Sequence, residues 1–153
     1  MSQIFGRAVT NEPHNVKLLW ELLVNRCNEE RISSHSAVTF NDHKEFVKNH
    51  PYRSWLILEN MGKAIGAAYI TFNNEISIKL DSSLFTADLF CSSLQFLTSQ
   101  YEPLPPIPSS RPQNFILNVN PRDQRVITAL ENIGHTVVQL SFSLQKEKEN
   151  ERA

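Results

Sequence analysis

Residues 54–80, SWLILENMGKAIGAAYITFNNEISIKL, constrain the fold of this chain most, because they read as three successive strands joined by two tight polar turns. Residues 55–58 form a short apolar run that ends in Glu59-Asn60-Met61-Gly62, and residues 64–72 form a second that ends in Asn73-Asn74. Glu75 opens the third. There Ile76, Ile78 and Leu80 alternate with Ser77 and Lys79, the two-residue period of a strand with one buried face. The pattern predicts an antiparallel meander at the centre of the chain.

The flanking segments read as helices and further strands. Residues 4–9 suit a first strand, and Thr10-Asn11-Glu12-Pro13 opens a helix with a capping oxygen ahead of a proline whose missing N–H is no loss in the first turn. Val16, Leu19 and Leu23 recur at helical spacing, and Leu18 and Leu22 widen that stripe. After a polar stretch over 28–39, a short amphipathic helix fits 42–49, with Phe46 and Val47 as its apolar face and Pro51 as its stop. Phe90, Leu94 and Leu97 mark the buried stripe of a helix over 84–100. Residues 102–112, EPLPPIPSSRP, hold five prolines and make a stiff extended connection, in which Pro103 and Pro106 also form the PxxP spacing that proline-binding modules read.

Residues 115–119 resume as a strand, Pro121 starts a helix lined by Val126, Leu130 and Ile133, and Gly134 ends it. A long final strand is expected over 135–144, where Val138, Leu140, Phe142 and Leu144 share one face and Gln139, Ser141 and Ser143 the other. That strand would give a homodimer a pairing edge. The predicted architecture is a mixed α/β fold, β-α-α-β-β-β-α-β-α-β, in one domain over 1–145 with a charged, disordered tail over 146–153.

Composition narrows the partners. A chain of 153 residues with 41% hydrophobic content can bury roughly 68–70% of its unfolded surface, so a core forms without staples. A net charge of −1 and scattered Lys and Arg give no footprint for nucleic acid. No apolar run is long enough for a membrane span, and MSQIFGRAV lacks the pattern of a secretory leader, so a soluble cytoplasmic protein is expected. Cys27 and Cys91 lack CxxC spacing and suit buried thiols without a basic or glycine-elbow context for nucleophilic catalysis. His14, His35, His43, His50 and His135 lack metal-ligand spacing, so no metal is expected.

The element order and two local patterns, GKAIGAAYI at 62–70 and VNPRDQRVITALENIGH at 119–135, resemble the GNAT superfamily of N-acetyltransferases. The first is similar to the family's turn into its third strand beside the acetyl donor. The second is similar to its strand, helix and Gly-Phe ending, in which Asn and Ser normally stand at the positions of Asp123 and Val126. The resemblance implies an acyl-CoA-dependent N-acetyltransferase acting on a small amine, an amino sugar being one candidate, with acetyl-CoA as co-substrate. It places Ile78, Leu80, Ser82, Ser83, Thr86, Ala87 and Asn120 at the cofactor and Glu75, at the head of its strand, at the general base. A Glu after Asn-Asn also suits a solvated turn. The stretch HKEFVKNHPYRSW over 43–55 is similar to the acceptor wall of amino-sugar acetyltransferases and nominates His43, His50, Tyr52 and Arg53 for substrate binding, with Tyr52 and Trp55 able to stack on a sugar ring.

Three positions depart from the family pattern. Its diphosphate loop, Arg/Gln-x-x-Gly-x-Gly/Ala, uses glycines to bring backbone N–H groups close to the anion at a helix N-terminus. Here the loop is Asp81-Ser82-Ser83-Leu84-Phe85-Thr86-Ala87, with no glycine between Gly66 and Gly134. Asp81 and Asp88 add negative charge, while Ser82, Ser83 and Thr86 offer hydroxyl donors. Leu130 stands where the family often has a Tyr acid, and His135, where it has Phe, suits capping of the preceding helix. A catalytically inactive GNAT-fold interaction or assembly module is the alternative.

Overall fold

The meander forms because its turns bring each strand to its neighbour. Met61 (φ 52°) and Gly62 (φ 74°) make a two-residue hairpin turn with both φ angles positive, the geometry that matches the twist of the strands it joins. That turn connects β2 (Ser54–Asn60) to β3 (Lys63–Ile70). Between β3 and β4 (Glu75–Leu80), the Thr71 hydroxyl accepts the N–H groups of Asn73 and Glu75, and Asn74 adopts φ 61°. β1 (Ile4–Ala8) pairs antiparallel with β2, and β5 (Ile116–Leu117) pairs parallel with β4. The sheet order is β1-β2-β3-β4-β5.

The computed structural model describes residues 2–25 and 38–146. Cys27, His35 and most of the polar stretch over 28–39 lie outside the described residues, as does the tail from 147. No helix among the described residues is long and apolar enough to cross a membrane.

Helices cover both faces of the sheet. On one face Leu56, Leu58, Ala68, Ile70, Ile76 and Leu80 pack with Phe90, Leu94 and Leu97 of α3 (Ala87–Gln100) and Val126 of α4 (Gln124–Asn132). On the other, Ala67 packs with Val16 and Leu19 of α1 (Pro13–Val24) and Val47 of α2 (Phe40–Lys48). The expected stripes of α1 and α3 are thus the buried ones. Thr39, Thr86 and Asp123 cap α2, α3 and α4 by accepting an N–H from the first turn. α1 starts at Pro13 without a side-chain cap, and Thr10 instead accepts the side-chain amide of Asn15.

Three expectations fail at the C-terminal end. The helix opened by Pro121 begins at Gln124, because Asn120 and Asp123 close a turn first, Asn120 accepting the Asp123 N–H on its carbonyl and the Arg122 N–H on its side chain. The final strand is absent: residues 135–146 form no strand and are exposed, and the described sheet ends at β5. β5 is likewise only two residues long, where 115–119 was expected.

The proline-rich connection is pinned rather than loose. The Asn74 side chain, fully buried, donates to the carbonyls of Leu104 and Pro112 and accepts the Leu104 N–H. Arg111 donates to the carbonyls of Phe72 and Pro105. These bonds hold the connection against the β3–β4 turn. They also occupy backbone acceptors at Leu104 and Pro105, inside the PxxP stretch.

Candidate functional site

β4 and β5 stay paired for only two residues, Glu75↔Ile116 and Ile76↔Leu117, and then part. The opening between them is lined by Ile78, Lys79, Leu117, Asn118, Val119 and Asn120, with Phe90, Asp123 and Val126 at its base. It encloses about 20 Å³, little more than one water. A chain-like ligand therefore enters only if the strands open further, and it would meet β4 beyond its last residue pair with β5. Ile78 and Asn120, expected at the cofactor, both line this notch. Leu80 does not: it is a core residue with its side chain turned to the α3 face.

The loop after β4 is occupied from within. Asp81 Oδ1 accepts the N–H of Ser83 at 3.0 Å and its hydroxyl at 2.7 Å, and the Asp81 carbonyl accepts the Leu84 N–H. A carboxylate thus sits on donors that an anion would use. Leu84 and Phe85 pack against the core under α3, which fixes the loop without glycine. Thr86 uses its hydroxyl to accept the Leu89 N–H. Ala87 is exposed at the first turn of α3. Ser82 lines a different cavity of about 90 Å³, together with Glu21, Asn25, Gly66, Leu80 and Asp81.

One cation stands near the loop. The Arg125 guanidinium lies 4.3 Å from the Phe85 ring centroid, with its Nε 3.5 Å from Asp123. No sequence pattern marks Arg125, because only the fold brings α4 to the start of α3.

The proposed acceptor residues separate into three places. His50 and Tyr52 come together with Phe46, Trp55 and Tyr69 as a half-exposed aromatic cluster, in which Tyr52 stacks on Tyr69 at 3.9 Å between centroids. Burial lowers the His50 pKa, and its Nδ1 accepts the Tyr52 N–H. His43 is elsewhere: it is 6% exposed between Trp20 and Phe40, with Nε2 3.0 Å from the Val16 carbonyl. Burial depresses its pKa, against the bond to Val16. It joins α1 to α2 and offers no wall to a ligand, which corrects the sequence expectation. Arg53 also turns away, donating to the Glu102 carbonyl and lying over the Tyr101 ring.

Glu75 shares a face with Ser77 and Lys79, and Ser77 is paired with Tyr69. Glu75 is therefore a diagonal neighbour of Tyr69, roughly 7–8 Å away. It is half-buried, and its backbone is fixed by Thr71 and Ile116. Tyr69, which the sequence reading passed over, is the residue that links the aromatic cluster to β4. Its signal was present: Tyr69 alternates in phase with Ala67 and faces Trp55 across the hairpin.

Cys91, expected as a buried thiol, is half-buried with its Sγ 3.9 Å from the Ala129 carbonyl. Burial and the nearby Asp88 push its pKa up, which suits an inert thiol.

Several solved structures share this fold. The aminoglycoside N-acetyltransferase AAC(6')-Ib11 aligns over 86% of this chain and 85% of its own, with a TM-score of 0.55 at 16% identity. A protein described as a possible acetyltransferase from Clostridium difficile aligns over 94% and 96%, with a TM-score of 0.55 at 9% identity. The chain has the GNAT acetyltransferase fold. An integron cassette protein from the V. cholerae mobile metagenome shares it too, over 97% of this chain and 94% of its own, with a TM-score of 0.57 at 12% identity. An acetyl transferase from Salmonella typhimurium matches at a TM-score of 0.49 and 18% identity, and the chain spans 64% of its length. No protein-family model and no curated protein matches the chain.

Proposed function

We propose that the protein is an acyl-CoA-dependent N-acetyltransferase that uses acetyl-CoA to acetylate a small amine. The observation that carries this reading is the parting of β4 from β5 after Ile76 and Leu117, which leaves strand backbone open beside Ile78 and Asn120. Acetyl-CoA, when bound, supplies an acyl group activated as a thioester. Amides of β4 beyond its pairing with β5 would polarise its carbonyl, as fixed N–H dipoles do for developing oxyanions. The amine reaches that carbonyl from the face carrying Glu75, Ser77 and Tyr69, forming a C–N bond as the C–S bond breaks. Glu75 takes the amine's proton through water, since it lies roughly 10 Å along the strand from Ile78. The thiolate leaves and is protonated from solvent, because Leu130 offers no acid at the family's Tyr position.

His50, Tyr52, Trp55 and Tyr69 form the acceptor wall in this reading, and aromatic faces beside a carboxylate suit a cationic amine on an apolar or sugar ring. The chain's residues fit the acyl arm better than the diphosphate. Asp81 already accepts from Ser83, so the anion must displace a carboxylate or bind through Arg125 and the first turn of α3.

Acetyl-CoA at high micromolar concentration is expected to raise the melting temperature and to release free thiol when a panel of amines is added. The Asp81→Ala variant frees the Ser83 donors and should bind acetyl-CoA about tenfold more tightly, the scale of one charge-assisted hydrogen bond. No shift at millimolar acetyl-CoA with either protein removes the reading. That outcome favours the second one, a GNAT-fold interaction module without a cofactor, motivated by the carboxylate on the loop donors and the packed Leu84 and Phe85.

A further inference from the structure

Glu75, Ser77 and Lys79 share the face of β4 from which the amine approaches in the reading above, and they put opposite charges at its two ends. Four residues of strand separate Glu75 from Lys79, roughly 13 Å. Ser77 lies between them, 8% exposed, and its partner across the β3–β4 ladder is Tyr69. Tyr69 is therefore a diagonal neighbour of both charged residues, roughly 7–8 Å from each. Its ring stacks on Tyr52 at 3.9 Å, and Tyr52 meets Trp55 edge-on at 5.2 Å. Lys79 is half-buried, lines the opening beside β5 and adjoins Ile78, the position given above to the thioester.

Resting on that acetyl-transfer reading, we propose that the acceptor is an aromatic α-amino acid, its carboxylate held by Lys79 and its ring by Tyr69. A cation beside the acyl group repels an acceptor whose only charges are ammonium groups, such as an amino sugar, and attracts one that also carries an anion. In an α-amino acid the amine is two bonds from the carboxylate carbon. A carboxylate accepting from Lys79 therefore sets the amine beside Ile78, next to the thioester carbonyl. The acceptor's side chain then runs over the small Ser77 toward Tyr69, a reach of roughly 7–8 Å that an aromatic side chain fills and a short one does not. Glu75, on the far side of Tyr69, takes the ammonium proton through water. The neutral amine forms the C–N bond as the C–S bond breaks, giving the N-acetyl amino acid and the CoA thiolate, which is protonated from solvent.

Acetyl transfer from acetyl-CoA by the full chain tests this with L-phenylalanine and L-tryptophan, with phenethylamine and tryptamine, which lack only the carboxylate, and with glucosamine. Each amino acid is expected to exceed its decarboxylated counterpart in kcat/KM by about tenfold or more, the scale of one charge-assisted hydrogen bond. Lys79→Met should raise KM for the amino acids about 10- to 100-fold with kcat nearly unchanged, and leave KM for the two decarboxylated amines where it was. Lys79→Arg should keep the wild-type preference, because a guanidinium also binds a carboxylate. A wild type that does not prefer the amino acids overturns the proposal while acetyl transfer to other amines stands. Equal losses on amino acid and amine in Lys79→Met overturn it as well, since a lysine that only supports the strand acts on both. The wild-type comparison decides without any variant. Failure to bind acetyl-CoA at millimolar concentration removes the acetyl-transfer reading and this proposal together.

Discussion

The meander and the C-terminal end of the sheet are written with the same alternation of apolar and polar residues, yet only the meander turns its pattern into strands of full length. β2–β3 and β3–β4 are matched over seven and five residue pairs, whereas β4–β5 is matched over two. Alternation assigns side chains to faces; a strand also needs a partner for its backbone. In the meander, turns at Met61-Gly62 and at 71–74 deliver each partner within a few residues, so little chain entropy opposes closure. β5 is reached only after the pinned connection over 102–112, and residues 135–146 are exposed and form no strand. The opening lined by Ile78 and Asn120 lies on the boundary between these two regimes.

The largest expected effect breaks the meander itself. A Cβ at Gly66 would stand 2.1 Å from the Lys79 carbonyl oxygen and 2.8 Å from Leu80 Cα, both backbone atoms of β4 that cannot swing aside. Gly66→Ala is therefore expected to cost about 4 kcal/mol, near the upper end for single substitutions. Urea unfolding checks it. Gly62→Asn, in the open turn with nothing within 4 Å of a Cβ, should cost far less, because Asn tolerates positive φ. Equal losses at the two glycines would show that close strand approach is not what Gly66 serves.

Legibility in the sequence followed the same divide. Periodicity in 54–80 was sufficient to place β2, β3 and β4, and helical spacing placed the buried faces of α1 and α3. What escaped the sequence depended on distant pairing. His43 and Arg53 sit in one short polar stretch with His50 and Tyr52, but only contacts with α1 and with Tyr101 decide which of them turn inward. The Asp81 contact with Ser83 is local, yet an Asp before Ser-Ser reads equally as a turn residue or as stray charge. Asn74 looked like an ordinary turn residue and is the tie between the meander and the proline-rich connection.

Cutting that tie sharpens the comparison at intermediate cost. Asn74→Ala removes three hydrogen bonds to Leu104 and Pro112 in a site that is 0% exposed, and forces a left-handed φ on a residue that disfavours it. A loss of about 3 kcal/mol is expected. Asn74→Gly keeps the backbone conformation and separates the two terms. Hydrogen exchange should show deprotection over 102–112 and at Ile116, whose N–H donates to the Asn74 carbonyl, while β2–β3 amides stay protected. Loss of protection spread evenly over the sheet would mean that the two regions do not unfold separately.

The smallest effect concerns the face of the meander covered by α1 and α2. Burial lowers the pKa of His43, and less completely buried His50 shifts the same way. The unfolded chain, with His near 6.5, then binds more protons than the folded one as pH falls. Stability is therefore full above that value and declines as pH drops through it toward the lowered folded pKa. Melting temperature should fall between about pH 7.5 and 5.5, before most carboxylates titrate. His43→Gln should flatten that decline, because the glutamine amide can still donate to the Val16 carbonyl but takes up no proton. His50→Gln should flatten it less, since His50 keeps partial contact with solvent and gives up only the bond from the Tyr52 N–H. The exchange rates of β5 amides should follow the same pH change only through global unfolding, because neither histidine touches that end of the sheet. A pH slope unchanged in His43→Gln would place the acid sensitivity elsewhere and leave the buried imidazole as a packing group alone.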